Sequence, residues 1–176
     1  MLKYGNYTMS KTVPNRVFFT LFLISGEITA IEAWSSSTNG DHQLPLNAWR
    51  TIGFHSGYES NPWLRIKLSR KETITNVTIG NRIDCCGERL VNLEVRAGTK
   101  NDNTNEIVGT FKGPGVSGAK HVVLFNKPVL ADFLTFQLMG REKTWLQIHG
   151  IYLNYMPEKG KYFKVFLSRL RPVNIL

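Results

Sequence analysis

Between Trp34 and about Tyr155, apolar residues alternate with polar ones at a period of two. Leu64, Ile66 and Leu68 alternate with Arg65, Lys67 and Ser69; Leu93, Val95 and Ala97 with Asn92, Glu94 and Arg96; Leu134, Phe136 and Leu138 with Thr135 and Gln137. Val77 with Ile79, Val122 with Leu124, and Ile151 with Leu153 give shorter runs of the same kind. That period belongs to strands that set one face on a core. Turn chemistry separates the runs: Ser56-Gly57, Asn61-Pro62, the polar stretch 100–105 and the glycine-rich stretch 113–118. Short strands between frequent turns, with no internal repeat and no helical period, predict an all-β, antiparallel β-sandwich or jelly roll.

The two ends read differently. Lys3, Lys11 and Arg16 precede an apolar run from Val17 to Ile24, and small residues follow at Ser25, Gly26, Ala30 and Ala33. Basic, apolar, then small is the order of a secretory signal peptide, so residues 1–33 are expected to direct secretion to the extracellular space. Met9 offers an alternative start. A rival reading makes Gly26 to Thr38 the first strand, with any cleavage just before it. The sandwich is expected over 34–156. Residues 157–176 form a basic tail, with Lys159, Lys161, Lys164, Arg169 and Arg171 against the single acid Glu158. Its stretch from Tyr162 to Leu170 reads as a last strand, an amphipathic helix or a frayed end, and Pro172 stops it.

A length of 176 residues suits about one domain, and the 42% hydrophobic and 20% charged residues are ordinary for a globular chain. The formal net charge of +9 raises nucleic acid as a partner. The charges are scattered apart from the tail, without a basic helix or a basic and aromatic repeat, so no nucleic-acid partner is expected. No run approaches the roughly 18 uncharged apolar residues of a membrane-spanning helix.

Several motifs carry little. Gly113, Gly115 and Gly118 match G-x-G-x-x-G, but Pro114 sits inside the motif and strand-like residues 121–125 follow, so it reads as a glycine-rich loop and not a dinucleotide cradle. Ser117 does not complete G-x-S-x-G, because residue 119 is alanine. The four histidines show no metalloprotease spacing, and no acid pair has a catalytic context, so no enzyme is expected. Asn76-Val77-Thr78 is a formal glycosylation acceptor at the head of a strand.

The informative stretch is Arg82-Ile83-Asp84-Cys85-Cys86-Gly87-Glu88-Arg89. Cys85 and Cys86 are the only cysteines, too few for a disulfide framework or a structural zinc site. If oxidised, they close a tight turn, because neighbouring Cα atoms lie only about 3.8 Å apart; the alternative is a pair of reduced thiols. Arg82 and Arg89 flank the turn with permanently charged, planar donors, and Asp84 and Glu88 are placed to pair with them. A pyranose, with one C–H face and acceptor hydroxyl edges, suits rigid arginine donors beside an apolar patch.

This segment resembles the signature of the fucolectins, or F-type lectins: a histidine, twenty-six residues, then Arg-x-Asp-Cys-Cys-x-Glu-Arg. Here His55 stands twenty-six residues before Arg82. Asn61-Pro62-Trp63-Leu64-Arg65-Ile66-Lys67-Leu68 also resembles a strand of that family. The likeness covers roughly Gly26 to Asn154. It implies a galactose-binding-like jelly roll shared with discoidin-type domains, and a non-enzymatic lectin for terminal L-fucose in host defence or glycan recognition. His55, Arg82 and Arg89 would hydrogen-bond the ring oxygen and the 3- and 4-hydroxyls. A Cys85–Cys86 disulfide would pack on the sugar's apolar edge, and Trp49 would help enclose its methyl group; a core tryptophan is the other reading of Trp49. Fucosylated glycans would be the partners, with self-association supplying avidity. The alternative is a sandwich that has lost sugar binding and docks a protein or an anionic membrane surface.

The chain departs from the resemblance at several positions. A cysteine pair of the family is replaced by Gly53 and His149, and a glutamate that would serve a structural calcium ion is Gly150. Calcium remains a family-based expectation. The residues between Asn47 and His55 offer few of the six to eight oxygens it takes, which predicts weak or no binding.

Overall fold

The computed structural model describes residues 3–4, 7–8, 27–40, 44–49, 52–140 and 143–156. The chain forms two compact units, Met1–Ser25 with Phe163–Leu176, and Gly26–Tyr162. In the first, β1 (Lys3–Tyr4) pairs antiparallel with β2 (Tyr7–Thr8). The apolar run 17–24 of the expected signal segment and the basic tail 157–176 lie outside the described residues.

The second unit is the expected antiparallel β architecture. Its strands are β3 (Ala30–Ser35), β4 (Phe54–His55), β5 (Trp63–Gly80), β6 (Leu93–Gly98), β7 (Glu106–Phe111), β8 (Lys120–Leu138), β9 (Gln147–Ile148) and β10 (Ile151–Met156). One sheet runs β10-β5-β8-β6-β7, with β3 also on β5. The strands β5 and β8 are long, and their ladder shifts register between Lys67 and Glu72 and again between Ile74 and Asn76. Such bulges bend a ladder and let one strand pair serve two layers. The first half of β5 pairs with β3, and its second half pairs with β10. Both halves feed one core: Leu64, Ile66 and Leu68 from one, Ile74, Val77 and Ile79 from the other.

The period-two runs at 64–68, 93–97 and 134–138 put their apolar members inside, each at 2% exposure or less. The run at 122–124 goes the other way. Val123 is buried, whereas Val122 and Leu124 are 56% and 71% exposed. Residues 122–125 are apolar at both parities, so alternation could not choose the face; pairing of Val123 with Val77 did. The boundary expected at residue 34 also moves. It falls inside β3, which pairs Ala30–Ser35 with β5, and Ile28 joins the core. Asn76 lies within β5 and not at a strand head, and its Oδ1 accepts from Asn154 Nδ2 at 2.6 Å.

Candidate functional site

One wall of the site is the turn that follows β5. Asn81, buried, donates from Nδ2 to the Gly87 carbonyl (2.8 Å) and the Val116 carbonyl (3.1 Å), and its Oδ1 accepts from the Arg82 amide (2.9 Å). The Gly118 amide donates to the Arg82 carbonyl at 2.7 Å, and the Gly87 amide to Ser117 Oγ at 3.0 Å. The glycine-rich stretch 113–118 is therefore a clamp on this turn. A Cβ on Gly87 would lie 2.2 Å from the Ser117 nitrogen, so only glycine lets the two loops close. Within the turn Cys85 and Cys86 are disulfide-bonded, with their Cα atoms 3.8 Å apart. Cys86 takes a left-handed backbone, φ 61°, which costs a non-glycine residue about 1–2 kcal/mol. The short 3-10 turn Gly87–Arg89 then presents Arg89.

The other wall is assembled from distant segments. In a separate ladder, β4 pairs with β9, Phe54 opposite Ile148 and His55 opposite Gln147. Ser56 ties the two strands further: its amide donates to the Leu146 carbonyl (3.0 Å) and its Oγ accepts from the Leu146 amide (2.8 Å). The end of β5 joins the same place, because Gly80 exchanges backbone hydrogen bonds with His149 and Gly150, both 2.8 Å.

His55, Arg82 and Arg89 meet at the side chain of Gln147. The arginine nitrogens only donate, so the amide atom they face is the oxygen. In that orientation Oε1 accepts from Arg82 Nη1 (2.9 Å), Arg89 Nη1 (3.2 Å) and His55 Nε2. His55 Nδ1 lies 2.8 Å from the Ser56 carbonyl. Asp84 holds Arg82 through two bonds, Nε to Oδ1 at 2.6 Å and Nη2 to Oδ2 at 2.8 Å. The Asp84 carboxyl is thereby driven well below the usual range, and the Arg82 pKa is raised by the same bond. Arg89 instead stacks on Trp145, its Cζ 4.3 Å from the ring centroid, and Tyr58 covers the indole at 4.3 Å. Burial, followed by the charges of Arg82, Arg89 and His149, holds His55 below its ordinary pKa against the raising pull of Ser56.

A cavity of about 390 Å³ opens beside this cluster, lined by Asn39, Ile52, His55, Arg82, Asp84 and His149, with Ile83 at its mouth. Ile52 and Ile83 are 68% and 71% exposed and give it an apolar rim. His149, like His55, sits below its ordinary pKa through burial first and the Arg82 charge second, opposed by Asp84.

Two expected supporting residues are elsewhere. Trp49, at the end of the 3-10 turn Pro45–Ala48, packs against the core and lines a second cavity with Glu27, Tyr152 and Tyr155. Glu88 is exposed, and among the described residues no ion pair joins it to either arginine. The substitution pair behaves as one unit: a Cβ on Gly53 would lie 2.6 Å from His149 Nε2, so the imidazole fills the space beside Gly53. At position 150 there is no carboxylate, and among the described residues no group of three His, Cys, Asp or Glu side chains converges to hold a cation.

The motif-based reading missed Gln147, Trp145 and Tyr58. Gln147 lies between Leu146 and Ile148, both fully buried, so no alternation marks its side chain as facing a site. The acceptor it offers has meaning only beside residues 55, 82 and 89.

Residues 34–136 match the family of NedA-like, galactose-binding domains. Fucolectin-6 of Anguilla japonica is 31% identical over 157 residues, which cover 85% of this chain and 83% of that protein. The fucolectin of Anguilla anguilla is 39% identical over 75 residues, 43% of this chain. Among solved structures, the F-lectin (fucolectin) from striped bass (Morone saxatilis) serum superposes with a TM-score of 0.63 at 26% identity, covering 70% of this chain. The matched part of this chain spans 46% of the Anguilla anguilla protein and 46% of the striped bass chain.

Proposed function

The chain belongs to the fucolectins, within the galactose-binding-domain fold, and from that premise we propose that it is a lectin for terminal L-fucose, acting through His55, Arg82 and Arg89 without catalysis. The observation that carries the reading is the convergence of Arg82 Nη1 and Arg89 Nη1, at 2.9 and 3.2 Å, and His55 Nε2 on one oxygen. Donors that already meet on a carbonyl oxygen are placed to meet neighbouring oxygens of a sugar. Arg82 keeps a second Nη1 proton beyond the Asp84 and Gln147 bonds, and Arg89 keeps most of its five donors. The Cys85–Cys86 sulfurs offer a polarisable, largely apolar surface to the sugar's C–H edge.

Binding and not hydrolysis is favoured by the acids present. Among the described residues Asp84 is the one carboxylate lining the cavity, and Arg82 holds both of its oxygens, whereas glycoside hydrolysis calls for two positioned carboxyl groups. An extracellular location is supported by the formed disulfide, which persists in oxidising compartments, and by the serum source of the striped bass relative. Affinity for one monosaccharide would be modest, and pairing of several sites by self-association would supply avidity.

The test is calorimetric titration of L-fucose into the full chain, with Arg82→Ala in parallel. Saturable heat in the parent that disappears in the variant is the expected result. A folded parent that gives no heat with L-fucose removes the reading.

A further inference from the structure

Three cationic or protonatable groups, Arg82, Arg89 and His55, crowd one point, and like charges so close repel. Asp84 neutralises only Arg82. Arg89 has the Trp145 face, and among the described residues no carboxylate forms an ion pair with it. A shared acceptor is needed to keep the two guanidiniums side by side, and Gln147 Oε1 supplies one.

We propose that Gln147 is the positioning residue of this site: a buried amide oxygen that accepts from Arg82, Arg89 and His55 together and holds the three donors converged for a sugar. The inference rests on the sugar-binding reading and adds to it the element that pre-organises the donors. Gln147 suits the role because it cannot drift. It is 3% exposed, its neighbours Leu146 and Ile148 are fully buried, and its backbone is paired opposite His55. Donors held in place before the ligand arrives cost less to order on binding.

A second consequence concerns the His55 proton. With Nδ1 facing the Ser56 carbonyl and Nε2 facing the Gln147 oxygen, the ring donates at both nitrogens only in its protonated form. Burial and the facing charges of Arg82, Arg89 and His149 oppose that form, while the oxygens of Ser56 and Gln147 favour it. Asp84 tempers Arg82 from the far side. Removing the amide oxygen should therefore make His55 harder to protonate, which a residue that merely filled space would not do.

The experiment compares the full-length parent with Gln147→Leu and Gln147→Glu. It reads L-fucose affinity by calorimetry and the His55 titration by NMR of the imidazole ring. Leucine removes the acceptor at similar volume; its expected effect is a loss of about tenfold or more in affinity. Glutamate restores an acceptor for the same three donors, keeps affinity near the parent's, and raises the His55 midpoint by about one unit or more. In Gln147→Leu that midpoint falls below the parent's. Parent-like affinity in Gln147→Leu, or a Gln147→Glu protein as weak as the leucine variant, overturns the proposal. If the parent binds no fucose, the lectin reading fails by itself. The positioning role is then judged on the ring titration: opposite shifts in the two variants uphold it, and equal midpoints remove it. Should the leucine variant fail to fold, the glutamate variant against the parent decides by the same titration.

Discussion

The two walls of the site were built in opposite ways. The turn from Arg82 to Arg89 is contiguous, and its cysteines, arginines and aspartate are legible in order. The wall of His55, Gln147 and His149 has no motif of its own; it exists because β4 pairs with β9 and because the end of β5 bonds to residues 149 and 150. Yet the contiguous wall is not self-supporting. Asn81 and the loop at 113–118 hold its shape, so even the part that reads as a local signature needs a distant clamp. A local motif supplies the functional groups, and tertiary contacts supply their relative positions.

The largest expected effect comes from breaking that clamp. Gly87→Ala places a methyl group 2.2 Å from the Ser117 nitrogen and 2.5 Å from the Val116 carbonyl carbon, both backbone atoms that cannot swing aside. Denaturant unfolding should show a loss of about 3 kcal/mol. A cost under about 1 kcal/mol would mean that the loops separate easily and the contiguous wall does stand alone.

The assembled wall is probed by a double-mutant cycle at Gly53 and His149. Gly53 has φ 104°, and an added Cβ meets the His149 ring at 2.6 Å. Gly53→Ala should cost about 2 kcal/mol in the parent, from backbone strain plus the clash. In a His149→Ala background about 1 kcal/mol should remain, the strain alone. Equal costs in both backgrounds would show that the ring moves away freely and that these positions are not one packed unit.

Acid should produce the smallest effect. His55 and His149 both titrate below their ordinary value in the fold, chiefly through burial. Their unfolded pKa is about 6.5, so below it the unfolded chain binds more protons than the native one. The stability associated with them is complete above that pH. It declines on acidification through the interval down to their lowered native values. Unfolding curves collected across this range should show the decline, and His149→Ala should flatten it. A stability that is level through the interval would place both rings in solvent-like surroundings.

The apolar runs at 64–68, 93–97 and 134–138 and the Arg82–Arg89 signature were readable because each is local: a strand face or a turn is decided by residues a few positions apart. The face at 122–124 was not, because a run that is apolar at both parities takes its register from its partner. Trp49 was placed beside the sugar site by resemblance, but it packs with the core, since an aromatic residue carries no sequence mark that separates a ligand wall from a hydrophobic interior.

By itself, then, the sequence determined the all-β character, the family and the groups carried on the turn. Only the tertiary structure decided that Gln147 lies under all three donors, that His149 fills the place beside Gly53, and that Trp145 backs Arg89. The reason is physical. Backbone alternation and turn chemistry act over a few residues, whereas hydrogen bonds between positions 55, 82, 89 and 147 exist only after distant strands have paired and excluded water around them.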